Sequence, residues 1–456
     1  MLKGLEVSEV RWSETTRNKD FRIDSQFYTK APIKNPNLEY KKIGTILEQT
    51  QYGISIEMNE SNIGYPIYRM NEIHDMLCDL EINKCADITQ EEYQRFALDN
   101  RDVLFNRTNS FEWVGKTGVY YQNDNIPRTY ASYLVKLIPN TREILPEYLC
   151  TFLNSRFGVW DIKRRARQSI NQTNVNPEEV KEIEIPILDM TLQEQLQMKF
   201  EVANAKRIEA KHLYFAAENQ LLSELGLKDW LPKNENINVK TLKESFLSSG
   251  RLDAEYYQSK YDALFAQLSN YECITLNRIV NINKSVEPGS DAYQDNGIPF
   301  VRVSDVDKFG ISDPNICLSP DDFDLQELRP KKDTILLSKD GSVGIAYKVD
   351  KDLDCITSGA LLHLTVFNQD YNPDYLTLVL NSIIVKMQAE RDANGAIIQH
   401  WKPSEIEQVI IPKLPMPIQN DISAKIQKSF GLKAESKRLL EEAKMMVEQE
   451  IEKGGK

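Results

Sequence analysis

Apolar and polar positions change rhythm along this chain, and the change occurs twice. From about residue 21 to 186, short apolar runs such as Val103 to Phe105, Gly118 to Tyr121 and Tyr133 to Ile138 are broken by turn residues, which predicts strands. From Thr191 to Leu225 neither Pro nor Gly occurs. Leu192, Leu196 and Phe200, then Ile208, Phe215 and Leu222, recur near helical spacing there, which predicts one long amphipathic helix with Gly226 as its stop. A second β-rich stretch, about 250 to 414, leads into a second long helix from about Pro417 to Ile451. Its apolar positions are Ile418, Ile422, Ile426, Phe430, Leu440, Ala443, Val447 and Ile451, and Gly431 alone interrupts it. Two such helices at equivalent places are expected to pack together. His212 and Asn219 stand where a strict heptad needs apolar side chains, so the expectation is a helical pair rather than an ideal coiled coil.

Short motifs repeat in the same order. Phe21 to Tyr28, FRIDSQFY, matches Gly250 to Tyr257, GRLDAEYY, at an offset of 229. GYPIYR from Gly64 matches GIPFVR from Gly297 (offset 233), and YLCTFLNS from Tyr148 matches YLTLVLNS from Tyr375 (offset 227). Glu184-Ile185-Pro186 matches Ile410-Ile411-Pro412 (offset 226), each after a Pro-acid segment at Pro177 and Pro403. A period near 230 is too long for a solenoid unit, so each copy is expected to hold its own core. The predicted class is α+β: two tandem β-rich domains, each followed by a long helix, the two helices packing together. The expected boundaries are 1–187 for the first domain, 188–226 for its helix, 227–245 for a connector, 246–414 for the second domain and 415–456 for its helix. The connector carries Trp230, Pro232 and Asn234-Glu235-Asn236.

Composition narrows the chemistry. With 456 residues and 41% hydrophobic positions the chain can build ordinary cores but is too long for one. Its longest apolar runs are strand-sized and Met1 to Arg17 lacks a central apolar segment, so neither a membrane span nor a secretory signal is predicted; a cytoplasmic location is expected. The six cysteines form no C-x-x-C pair and are expected to be buried thiols. His74, Cys78 and Cys85 are the sharpest metal candidates but fall short of the four ligands of structural zinc, so no metal is expected. A net charge of −12 argues against loose adhesion to nucleic acid and leaves room for a local basic surface.

Catalytic motifs fail on inspection. Ser110 to Thr117, SFEWVGKT, has Ser where a phosphate loop needs its first Gly, and a strand rather than a helix is predicted after it. No Pro-Pro dipeptide exists for a methyltransferase motif, and acid-x-Lys triplets such as Glu39-Tyr40-Lys41 are expected by chance among 68 acids and 56 bases. No Ser-His-Asp or Cys-His set can be placed by spacing.

One device does recur. Arg101 to Val119, RDVLFNRTNSFEWVGKTGV, and Lys332 to Val349, KDTILLSKDGSVGIAYKV, both read as an acid, a strand, a polar turn, Val-Gly and another strand. With the Gly-x-Pro-x-x-Arg element, the Tyr-Leu…Leu-Asn-Ser helix and the Ile-Pro entry into a long helix, nearly the whole chain resembles the specificity (S) subunit of Type I restriction-modification systems. The resemblance implies two target-recognition domains, each reading one half of a bipartite DNA sequence, held apart by the two helices, which pack as an antiparallel coiled-coil-like spacer with pseudo-two-fold symmetry. It implies no catalysis or cofactor in this chain. Two methyltransferase subunits would carry S-adenosylmethionine, and restriction subunits would use ATP and Mg. A helix of 35 residues is about 50 Å long, enough after overlap to separate the domains by roughly one to one and a half turns of B-DNA. The acidic balance implies that partners furnish much of the phosphate contact, and weak DNA binding by the chain alone is expected. The recognition subunit of a combined restriction-methylation enzyme, a self-contained methyltransferase or nuclease, and a two-domain protein scaffold are the alternatives.

Base edges are read by Arg, Lys, Asn, Gln and Ser at turns and strand ends. In the first copy these are Arg69, Asn71, Arg107, Thr108, Asn109 and Lys116; in the second, Arg302, Ser304, Lys339, Asp340 and Ser342. The alternative for Arg69 and Arg302 is a bond to their own domain. Asp161 to Asn174 is the strongest basic cluster, with Lys163, Arg164, Arg165, Arg167, Gln168 and Gln172 as candidate DNA contacts. Its counterpart, Arg391 to Lys402, offers Gln399, His400, Trp401 and Lys402. A solvated helix face or a methyltransferase-binding surface is the alternative for the basic cluster.

Overall fold

The computed structural model describes residues 7–16, 22–170, 172–232, 235, 237–395 and 399–454. Phe21 of the first repeated motif, Asn171 of the basic cluster, and Asn234 and Asn236 of the connector lie outside the described residues. The chain divides into two compact units, Met1–Glu209 with Leu432–Lys456, and Ala210–Gly431. Each unit thus combines one β-rich body with part of each long helix.

In the first unit the main sheet has the order Leu47–Tyr52, Leu134–Pro139, Val103–Asn106, Thr117–Val119, Leu77–Cys78, Ile73–His74. Val103, Phe105, Val135 and Leu137 line one face, and helices Pro146–Asn154 and Arg156–Arg165 contribute Tyr148, Leu149, Leu153 and Ile162 to the same core. In the second unit the order is Val280–Lys284, Leu361–Val366, Ile335–Ser338, Ala346–Lys348, which repeats the first four strands. Helices Pro373–Asn381 and Ile383–Asp392 cover it as their counterparts do. The two bodies therefore share one topology.

The repeated motifs are the buried polar frame of that topology. The Tyr148 hydroxyl donates to the Pro186 carbonyl at 2.7 Å, and Tyr375 does the same to Pro412 at 2.8 Å. Asn154 exchanges bonds with the Thr117 backbone, and Asn381 with that of Ala346. Gln193, fully buried, accepts from Leu145 N and donates to Glu143 O and Leu188 O; Gln419, also fully buried, accepts from Asn372 N and donates to Asp370 O and Leu414 O. Each of these side chains satisfies backbone groups that would otherwise be stranded away from water, so the residue type is dictated at both places.

The first long helix spans Met190–Glu224 and the second Met416–Lys453. The Asp189 carboxylate accepts from Thr191 N at 2.7 Å at the start of the first. Gly226 ends it at φ +62°, where Leu227 N returns to Leu222 O, as the sequence predicts. Gly431 lies within unbroken helix, so the predicted interruption is absent. The helices run antiparallel. In the first unit Lys199 pairs with Glu442 and Lys206 with Glu435, both at 2.9 Å; in the second, Gln220 donates to Asp421 at 2.9 Å.

The seam differs by one position from the predicted register. Leu196, Phe200 and Ala203 are buried in the first unit, and Ala210, Tyr214, Ala217 and Leu221 in the second, whereas Phe215 is 59% exposed. His212 is exposed, outside the seam, and interrupts nothing. The reason is the alanines seven apart, which allow a close approach. Ser436 Oγ reaches the Ala203 carbonyl at 2.8 Å in the first unit, and Ser429 Oγ reaches the Ala210 carbonyl at 2.6 Å in the second. At the 226-residue shift Ala203 corresponds to Ser429 and Ala210 to Ser436, so one contact is made twice with the roles of the helices exchanged. The fold is α+β, two β-rich bodies with a packed pair of long helices. Among the described residues no helix is long and apolar enough to cross a membrane.

Candidate nucleic-acid interface

Two clusters that are distant in sequence meet in a three-stranded sheet of the first unit. Thr108–Asn109 pairs with Thr173–Asn174, which pairs in turn with Arg167–Gln168. The turn after Val103–Asn106 and the end of the basic cluster thus form one surface, on which Arg167, Gln168 and Gln172 are exposed. Thr108 is buried, and its hydroxyl donates to Asn174 Oδ1 at 2.6 Å. Asn109 is half-buried.

The second unit builds the same junction from other residues. Asp340 bridges to His400, and His400 to Asn394, in antiparallel fashion. His400 Nδ1 lies 2.9 Å from Asp340 Oδ1, so this pair occupies the place of Asn174 and Thr108. Gln399 and Lys402 are exposed beside it, as is Ser342; the Gln399 carbonyl accepts from Gly341 N at 2.9 Å. Here the two copies put different polar side chains on an equivalent backbone link.

Other nominated side chains turn inward. Arg164 and Arg165 are 6% and 7% exposed. Arg164 bonds Asp161 and the Phe27 carbonyl; Arg165 bonds Asp161, Glu179 at 2.7 Å and the Glu182 carbonyl. Desolvation pulls the Arg164 guanidinium below its ordinary value, with Asp161 opposing that shift. The net is closed by Arg22, which donates to the carbonyls of Arg164 and Arg165; in the second copy Arg251 donates to the Asp392 carbonyl. Lys163 sends its amine to the carbonyls of Phe111, Glu112 and Val114, and burial pushes that amine down to about 8. Lys339 is buried with its amine against Asp340, and Trp401 is 1% exposed, packed in the core.

Arg69 pairs with Glu72, and Arg302 stands 3.6 Å from Asp305, each while the same acid accepts from the arginine's own backbone N–H. The Gly-x-Pro-x-x-Arg element is therefore a local turn lock. Asn71 and Ser304 beside these turns are exposed. Arg107 donates to the Ser132 carbonyl and lies over the Tyr52 ring, and Lys116 lies over the Trp113 ring, its amine lowered by burial.

Asn174 and Asn394 were not singled out by residue type. The internal offset finds Asn174: His400 carried back by 226 positions lands on it.

The residues that resemble a phosphate loop form no such loop. Gly115 has φ +92° and is followed by the strand Thr117–Val119, and its counterpart Gly344 has φ +82° before Ala346–Lys348. This is a hairpin corner in both copies. His74 Nδ1 lies 3.0 Å from the Asp79 carboxylate, which raises its pKa, while Cys78 and Cys85 are buried; among the described residues no group of three or more His, Cys, Asp or Glu side chains is placed to hold a metal.

No family model matches the chain. Among curated proteins it is 29% identical over 179 residues to the type I restriction enzyme MjaX specificity subunit of Methanocaldococcus jannaschii, covering 38% of this chain and 42% of that one. It is 30% identical over 119 residues to the type I restriction enzyme EcoKI specificity subunit of Escherichia coli, covering 25% of each. The matched stretches thus span less than half the length of these relatives. Among solved structures, the Type-I restriction-modification system S subunit from M. genitalium aligns over 92% of this chain and 97% of its own, with 14% identity and a TM-score of 0.42. Over these stretches the chain is similar in sequence to type I restriction enzyme specificity subunits.

Proposed function

We propose that this chain is the DNA sequence-specificity subunit of a Type I restriction-modification complex, reading a bipartite duplex target with one half assigned to each β-rich body. The observation that carries the reading is the duplicated junction: one backbone link, built from Thr108 and Asn174 in the first unit and from Asp340 and His400 in the second. Two copies that keep a frame and vary the polar groups on it suit the reading of two different sequences, because donor and acceptor pattern is what distinguishes base pairs in the major groove. The names of the relatives support this.

The exposed side chains Asn71, Arg167, Gln168, Gln172, Ser304, Ser342, Gln399, His400 and Lys402 are the proposed DNA contacts. The chain itself is non-catalytic in this reading. Two methyltransferase subunits bring S-adenosylmethionine, and restriction subunits bring ATP- and Mg-dependent chemistry. The excess of acidic over basic residues, 68 against 56, leaves much of the phosphate contact to those partners.

Co-purification from the native host tests the proposal. The expected result is a methyltransferase partner and adenine methylation at an interrupted sequence, with a weak electrophoretic shift for the chain alone. Methylation or cleavage by the isolated chain, or a partner complex that ignores DNA sequence, would overturn it.

A further inference from the structure

The two hairpins that carry the junctions differ in length, and the difference is filled by one side chain. In the first unit Gly115 N closes the hairpin on Asn106 O at 2.8 Å; in the second, Gly344 N closes on Ser338 O at 2.9 Å. Arg107 to Val114, eight residues, thus stand where Lys339 to Val343, five residues, stand in the other copy. The additional length contains Phe111 and Trp113, 39% and 40% exposed.

A loop with two large exposed rings tends to collapse onto its own body unless something holds it. Lys163 supplies that hold. An ammonium has three donors, and here it meets three carbonyls of one loop: Phe111, Glu112 at 3.0 Å and Val114 at 2.9 Å. The neighbouring Ile162 packs where a Cβ on Gly115 would stand, so the helix seats the base of the loop as well. In the second copy the corresponding neighbour of Gly344 is Ala389, and the residue after it is Glu390, which pairs with Lys260 at 2.7 Å. The place of Lys163 is thus held by an acid in the second copy.

We infer that Lys163 is a positioning residue, holding Asn109–Val114 outward so that Phe111 and Trp113 enter a groove of the first half-site and set its preference. The loop begins at Asn109, on the strand that pairs with Thr173, and so continues the three-stranded sheet on which Arg167 and Gln168 are exposed. Lys116, over the Trp113 ring, adds a cation at the far end of the loop. Apolar rings are suited to a base step, where they displace water at the groove floor, while the cation that meets phosphate is Arg167, exposed on the same sheet. This inference rests on the DNA-reading function proposed above.

The test uses the complete complex with its methyltransferase partner and two DNA pools, one randomised in the first half-site and one in the second. Lys163→Met, and separately the double variant Phe111→Ala/Trp113→Ala, are expected to reduce discrimination in the first half at least tenfold while the second half stays as in the wild type. Lys163→Arg, which keeps donors at that place, is expected to retain most of it. Unchanged first-half preference in the double variant, or equal loss in both halves for Lys163→Met, would overturn the inference. The double variant keeps the lysine in place and serves if Lys163→Met does not fold. A wild-type complex with no preference in either pool would overturn the functional proposal itself, and this inference with it.

Discussion

The Thr108 hydroxyl donates to the Asn174 side-chain oxygen across 2.6 Å, joining segments 66 residues apart. His400 and Asp340 make the equivalent link in the other copy, 2.9 Å long and 60 residues apart. One junction is thus made twice with different occupants.

Replacing Thr108 with Val removes the donor while keeping the shape. Stability of the first unit should fall by about 1 kcal/mol, the usual worth of such a bond. In the assembled complex, Thr108→Val should alter sequence preference only in the first half of the target and His400→Ala only in the second, as read by selection from randomised DNA. If both variants act on the same half, the assignment of one half to each unit fails.

The basic cluster should separate by orientation. Arg165→Ala removes the buried cation that bonds Glu179 and that shares Asp161 with Arg164, and should cost about 3–5 kcal/mol, measured by urea denaturation. Arg167→Glu, on the exposed strand, should lower the urea midpoint far less than Arg165→Ala, weaken DNA binding by the complex and lower the slope of affinity against salt. A large loss of stability for Arg167→Glu would place that side chain in the frame instead.

Adjacent aromatic residues on the first long helix offer a check of its register. Tyr214 is 6% exposed and meets the Phe309 ring at 4.9 Å, so Tyr214→Ala should cost about 3–5 kcal/mol. Phe215→Ala, one position on, should change stability by less than about 0.5 kcal/mol. Equal effects at the two positions would show the seam to be misplaced.

His363 predicts a pH dependence of the second unit. It is buried, shares a 2.7 Å hydrogen bond between its Nε2 and the Thr357 hydroxyl, and has its pKa pushed down to about 4 from 6.5 by desolvation. The folded value lies below the unfolded one, so between these two values the unfolded chain binds a proton that the folded unit excludes. Stability is therefore intact above about 6.5 and falls as pH drops towards 4, by up to about 3 kcal/mol at the acid end. Denaturation at pH 7 and pH 5 should show a smaller difference for His363→Gln than for the wild type.

The sequence by itself determined the duplication, the two long helices and the class of fold. Each of these is written in local terms: Gly226 ends a helix because its backbone turns left-handed, and Tyr148, Asn154 and Gln193 recur as Tyr375, Asn381 and Gln419 because the same backbone groups need the same partners. Tertiary structure alone decided which neighbours face inward. Phe215 and Tyr214 are both aromatic, and the Phe309 and Phe430 rings beside it select Tyr214 for the seam. Arg164 and Arg165 read as a basic surface until Asp161, Glu179 and the Phe27 carbonyl are brought around them. Charge and apolarity along a chain state what a side chain can do; its direction depends on partners many residues away, which only folding brings within a hydrogen bond's reach.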